Sequence, residues 1–232
     1  MKRIGLIGGL GPEATLDYYK RIIDAFKTGN NNFNNPDIIV YSVNMSKLMS
    51  FMKAKDYEGA TDYLSDKIDA LVKAGAEFAA ISANTPHFMF DGINAKSSIP
   101  LISIVEATCE VCVSQGIKRA GLIGTGYTMD APFYPDVFRK QGIDIVIPDK
   151  DDRLFINHKL FTEIEMGVFT DETRNAFVQI IEKMINEQQI DSIILGCTEF
   201  PLLLTESQYA GIPMLNTTQI HVDAIVCYCL SN

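Results

Sequence analysis

The sequence predicts an α/β protein made of two similar halves, and three internal matches carry that prediction. Lys2-Arg3-Ile4-Gly5-Leu6-Ile7-Gly8 recurs as Lys118-Arg119-Ala120-Gly121-Leu122-Ile123-Gly124, an offset of 116 (118 minus 2), with six of seven positions identical. Glu77 to Thr85 lies against Asp191 to Glu199 at an offset of 114 (191 minus 77), each reading as an acid, a buried strand and a polar loop. Ile99-Pro100-Leu101-Ile102 lies against Ile212-Pro213-Met214-Leu215 at an offset of 113 (212 minus 99). Three matches in order at nearly one offset mark a duplication. Each copy is expected to be a Rossmann-like open parallel sheet with flanking helices. The expected division is residues 1–105, completed by a C-terminal helix over 216–232, and residues 106–215.

The elements follow in order. Ile4 to Gly8, Ile38 to Val43, Phe78 to Ser82 and Leu101 to Ile104 are short apolar runs of the kind found in parallel strands buried on both faces. Pro12 suits a first helical turn, followed by Leu16, Tyr19, Ile23 and Phe26 at helical spacing. A second helix runs through Ala60, Leu64, Ile68, Leu71 and Val72 and stops at Gly75. In the second half the strands are Ala120 to Gly124, Ile143 to Ile147, Ser192 to Gly196 and Met214 to Asn216, with Gly142, Pro148 and Gly167 at the breaks. Val105 to Val113 and Ile220 to Leu230 read as amphipathic helices. Asn30 to Asn35 reads as a surface loop.

Composition limits the function. At 232 residues, with 47% hydrophobic and 21% charged residues, the chain is an ordinary folded protein. Its net charge of -9 comes without a Lys/Arg cluster, which argues against nucleic acid and anionic membrane as partners and for a small molecule. No apolar stretch reaches the roughly 20 residues a membrane span needs, and the N-terminus has no signal-peptide layout, so the expected location is cytoplasmic. Cys109, Cys112, Cys197, Cys227 and Cys229 are an odd set, expected as free thiols.

Ligands of open parallel sheets bind beyond the carboxyl ends of the strands. That rule selects Gly8-Gly9-Leu10-Gly11-Pro12, Ala83-Asn84-Thr85-Pro86-His87, Gly124-Thr125-Gly126-Tyr127-Thr128 and Cys197-Thr198-Glu199, which two facing halves would gather around one cleft. The glycines miss the G-x-G-x-x-G spacing and no P-loop lysine follows, so they are read as freedom for tight turns beside a ligand, not as a nucleotide site. Cys197 follows a wholly apolar strand where a helix is expected to begin. A helix N-terminus would lower its pKa and make the thiol a proton carrier near neutral pH. Cys109, Cys112, Cys227 and Cys229 are read as packing residues rather than a zinc site, since their spacing and helical setting do not resemble zinc knuckles, and no metal is expected. His87, His158 and His221 do not cluster with them in sequence.

Gly8-Gly9-Leu10-Gly11-Pro12, Ala83-Asn84-Thr85 and Gly196-Cys197-Thr198-Glu199 together resemble the aspartate/glutamate racemase superfamily, over essentially the whole chain. Its members are cofactor-independent racemases of acidic amino acids, with hydantoin racemases, maleate isomerases and arylmalonate decarboxylases as relatives. The resemblance implies an isomerase free of pyridoxal phosphate, with no cofactor, a small carboxylate or amino-acid substrate, and a homodimer. It also implies one cysteine from each half, one removing the Cα proton and the other returning a proton to the opposite face. By the duplication Cys197 is one of these and Ala83 stands at the other position. A methyl group moves no proton, so a symmetric two-thiol reaction cannot run; Ser82, Thr85 or a water would have to substitute. Asn84, Thr85 and Thr198 match residues that hold the substrate's α-carboxylate and amino group, with Leu10, Gly11, Thr125, Tyr127 and Glu199 also expected to line the site. The Arg and Lys with which some aspartate racemases grip the distal carboxylate have no counterpart: the stretches read Lys47-Leu48 and Ile164-Glu165. Three functions are therefore in contention. The first is a racemase-type enzyme acting on an acidic amino acid with one thiol. The others are a one-thiol decarboxylase or isomerase, and a ligand-binding homologue without turnover.

Overall fold

The computed structural model describes residues 1–27 and 34–231. Residues 30–33 of the expected Asn30 to Asn35 loop lie outside them, while Asn34 and Asn35 are exposed coil. The strands are β1 (Ile4–Gly8), β2 (Ile38–Ser42), β3 (Phe78–Ile81), β4 (Leu101–Ile102), β5 (Arg119–Gly124), β6 (Asp144–Val146), β7 (Ser192–Gly196), β8 (Gln208–Tyr209) and β9 (Ile212–Asn216). The helices are α1 (Pro12–Ala25), α2 (Met45–Ala54), α3 (Tyr57–Lys73), α4 (Phe90–Lys96), α5 (Ile104–Ser114), α6 (Gly126–Asp130), α7 (Phe133–Arg139), α8 (Lys150–Thr162), α9 (Asp171–Gln188), α10 (Phe200–Leu203) and α11 (Thr217–Leu230).

The chain divides into two compact units, Met1–Ile104 with His221–Asn232, and Val105–Ile220. The first sheet runs β2-β1-β3-β4 and is parallel throughout. The second runs β6-β5-β7-β9, also parallel, and adds the antiparallel β8 at its edge. The duplication is visible in the registers. Ile4 pairs with Phe78 in one sheet, and the repeat-equivalent Ala120 pairs with Ser192 in the other. Ala80 pairs with Ile102, and Ile194 with Leu215. The offsets read from sequence therefore align the two copies of the framework residue for residue across three strands.

Strand residues alternate faces, and here both faces are covered. Ile4 and Leu6 of β1 pack with Tyr18 and Ile22 of α1 and with Val222, Ile225 and Cys229 of α11. Ile7 points the other way, to Leu48, Met52, Leu64, Ile68 and Leu71. In the second unit Ile123, Ile193 and Leu195 pack with Ile156, Leu160, Phe177, Ile181, Phe200 and Leu203. Each such side chain contributes about 1.5–3 kcal/mol on burial, so an Ile7→Asp change would unseat the first sheet from α3.

Two expectations need correction. The buried face of α1 is Ala14, Tyr18 and Ile22, whereas Leu16 and Tyr19 are 62% and 50% exposed. The helical period was right and its phase wrong, because the core partner is α11, from the far end of the chain. Ile104 opens α5 rather than ending β4, its side chain fully buried.

Candidate active site

The loop after β7 is an acidic knot around one thiol. Cys197 is 5% exposed, and its Sγ donates to Glu199 Oε2 at 3.0 Å. Thr198 Oγ1 donates to the same oxygen at 2.9 Å, so Glu199 accepts from both of its neighbours in the motif. Glu165, half-buried in the turn after α8, completes a group in which one ligand atom from each of Glu165, Cys197 and Glu199 lies within 4.8 Å of the others. No cation among the described residues is ion-paired with Glu165 or Glu199. Burial and the Glu199 charge push the Glu165 carboxyl up to about 7. Burial first, then the Glu199 and Glu165 carboxylates, push the Cys197 thiol well above its ordinary value.

This corrects the expectation of a thiol with a lowered pKa. The helix that follows, α10, has four residues, too short to develop the dipole that expectation relied on, and two carboxylates oppose the thiolate. In the sequence Glu165 stands out only as the place where a cation is missing. No sequence signal ties it to Cys197, 32 residues away (197 minus 165).

The loop after β3 is built differently. Ala83 and Asn84 are 8% and 3% exposed, and Thr85 opens a short 3-10 turn, Thr85–Met89. Ser82, a candidate substitute for the missing thiol, is fully buried and donates its hydroxyl to the Ile7 carbonyl at 2.9 Å. Its proton is committed to the sheet. The turn's own anchor is His87, whose Nδ1 lies 2.9 Å from the Ala83 carbonyl and whose Nε2 accepts from the Ile104 N–H at 3.2 Å.

The glycine loop after β1 needs its glycines. Gly9 and Gly11 have φ of 77° and 97°, and a Cβ on Gly9 would meet Ser42 Oγ and the Val43 carbonyl oxygen at 2.6 Å. Thr15 closes the turn, accepting from Gly9 N–H at 2.9 Å and donating to the Gly11 carbonyl at 3.1 Å. Leu10, expected to line the site, commits its side chain to the apolar core beside Val43 and Leu48. In the equivalent loop of the second unit Thr125 caps α6, accepting from Thr128 N–H at 3.1 Å, and Tyr127 is 36% exposed.

Of the remaining cysteines, Cys109, Cys112 and Cys229 are buried packing residues, as read from sequence, but Cys227 is exposed. Among the described residues the group with donors close enough for a metal ion is Glu165, Cys197 and Glu199, and the other four cysteines do not form one.

Residues 7–225 match the Asp/Glu/Hydantoin racemase family. The chain belongs to that family. The sequence is 24% identical over 218 residues to the broad specificity amino-acid racemase RacX of Bacillus subtilis (strain 168), covering 93% of this chain and 92% of RacX. In structure, this racemase-family chain superposes over its whole length with a candidate Asp/Glu racemase from Yersinia pestis (36% identity, all of both chains, TM-score 0.91). It does so also with an aspartate racemase homologue from Pyrococcus horikoshii OT3 (32% identity, all of both chains, TM-score 0.84). The two parallel sheets with flanking helices are the fold of this racemase family. No helix among the described residues is long and apolar enough to cross a membrane.

Proposed function

We propose that this racemase-family protein is a cofactor-independent enzyme that removes and returns the Cα proton of an acidic amino acid, with Cys197 as its single catalytic thiol. The observation that carries the reading is the Cys197 thiol, placed at the carboxyl end of a buried strand with a carboxylate acceptor 3.0 Å away. In the free protein the thiol is protonated, since burial and two carboxylates resist a thiolate. An α-ammonium group brought to Glu199 and Glu165 supplies the missing positive charge. The thiol proton passes to Glu199, and the resulting thiolate takes the Cα proton. Glu165, ionising at about 7 and half-buried, exchanges that proton with solvent. Asn84, Thr85 and Thr198 are assigned to the substrate's carboxylate and amino group, Gly11 to backbone contact, and Thr125 and Tyr127 to the rim.

The partner position is Ala83, so return of a proton to the other face falls to water. Exchange of the Cα proton then outruns inversion. The test is incubation of L- and D-aspartate and L- and D-glutamate in deuterated buffer with mass detection and chiral analysis. Deuterium at Cα exceeding inverted product supports the reading, and absence of exchange from all four overturns it. The protonated resting thiol also favours a second reading, a decarboxylase or isomerase in which Cys197 protonates an enediolate; carbon dioxide release from an arylmalonate in the same assay would select it.

A further inference from the structure

Two buried histidines lie in the first unit outside the proposed chemistry. His87 and His221 are 3% and 0% exposed, with ring centroids 6.1 Å apart at 80°. Their protonation follows from their partners. The Ile104 N–H donates to His87 Nε2 at 3.2 Å, so that nitrogen carries no hydrogen; the ring proton sits on Nδ1 and is donated to the Ala83 carbonyl at 2.9 Å. His221 is the opposite tautomer: Nε2–H donates to the Ile102 carbonyl at 2.9 Å, and Nδ1 accepts from the Tyr18 hydroxyl at 2.9 Å. His87 also stacks on Phe90, with centroids 5.0 Å apart and planes 8° apart. A charged His87 would set its Nε2–H against the Ile104 N–H, donor against donor.

We propose that His87 is a positioning residue of the active site. Its Nδ1-protonated ring fixes the Ala83-Asn84-Thr85 loop to the β4–α5 corner through one donated and one accepted hydrogen bond. The Ala83 carbonyl is turned back onto the ring, and His87 N–H donates in turn to the Asn84 carbonyl at 2.9 Å. The backbone of the loop is thereby tied at two consecutive carbonyls by one residue, which sets where Asn84 and Thr85 project. His221, fully buried, stands edge-on to the His87 ring. Burial and the neighbouring ring accordingly hold His87 down to about 3, and burial holds His221 at about 4. The inference rests on the reading that Asn84 and Thr85 hold the amino acid.

The experiment compares the wild type, His87→Leu and His87→Asn, with L-aspartate as the probe. An asparagine amide nitrogen occupies the place of Nδ1 and still donates to Ala83, whereas leucine makes neither bond. Loss of ground-state and transition-state binding together raises KM and spares kcat. His87→Leu is therefore expected to raise KM for Cα exchange by about tenfold with kcat within about threefold, and His87→Asn to recover most of it. Folded His87→Leu with wild-type KM overturns the proposal. So does a fall in kcat in both variants that simply tracks their thermal midpoints. Should His87→Leu not fold, nitrogen NMR of the wild-type ring decides: a neutral, Nδ1-protonated His87 from pH 5 to 8 supports it, and an Nε2-protonated or charged ring refutes it. Wild type that exchanges no aspartate proton would refute the substrate reading alone. Amide exchange at residues 83–85, faster in His87→Leu than in His87→Asn, would then still test the positioning, and equal rates would overturn it.

Discussion

The loops after β3 and β7 occupy the same place in two copies of one framework, with the same strand registers beneath them, yet their chemistry is opposite. After β3 the chain places an alanine, a neutral histidine and a serine whose hydroxyl is spent on the sheet. After β7 it places a thiol between two carboxylates. The difference teaches that the sheet fixes where reactive groups can stand, while the two or three residues past each strand decide what stands there. On the proposed reading, one loop moves a proton and the other holds a ligand still.

The comparison breaks most completely at Cys197. Cys197→Ala should lower Cα exchange by about 10²- to 10⁴-fold, the usual worth of a placed proton carrier, with circular dichroism unchanged. Retained exchange would remove the thiol from the account and leave the β7 loop as inert as its counterpart.

The β3 loop should reveal itself in acid rather than in rate. His87 and His221 titrate at about 3 and about 4 when folded, against about 6.5 when unfolded. Below about pH 6.5 the unfolded chain binds protons that the folded chain refuses, so stability rises with pH across this window and falls as pH drops from 6.5 toward 4. Between pH 6.5 and 5 each histidine should remove about 2 kcal/mol, an order-of-magnitude figure read from urea midpoints. His87→Asn should halve that dependence; an unchanged slope would show that the ring is not held neutral by the fold.

How far sequence alone reaches follows from the same two loops. β1 and β7 were placed residue for residue, because strands buried on both faces write continuous apolar runs. The duplication placed Ala83 opposite Cys197 in the alignment, and the registers agree. What escaped depends on partners distant in the chain. The phase of α1 is set by α11, roughly two hundred residues on. The pairing of His87 with His221 joins segments 134 residues apart (221 minus 87). Glu165 reaches Cys197 from a turn with no periodicity to mark it, and for that reason the thiol was expected to be acidic when its surroundings make it the reverse.

A smaller effect sharpens the acidic side of the comparison. Glu199→Gln should lower the Cys197 pKa by removing its charge and its ionic acceptor, and Glu165→Gln should do so less. Iodoacetamide labelling of Cys197 at pH 8 should speed up in that order, about tenfold for each unit the pKa falls. Exposed Cys227 labels first in every variant and is replaced by serine for this measurement. Slower labelling in Glu199→Gln would mean that the carboxylate activates the thiol in the free protein.

The central claim, one competent face and one idle one, is tested most directly by the ratio of Cα deuterium exchange to inversion for L-aspartate in wild type and Ala83→Cys. The account predicts a wild type in which exchange outruns inversion. In Ala83→Cys, inversion should climb by up to about 10²- to 10⁴-fold until the two rates converge, as the repeat-equivalent position gains a thiol. A folded Ala83→Cys variant with wild-type exchange and no gain in inversion would contradict it.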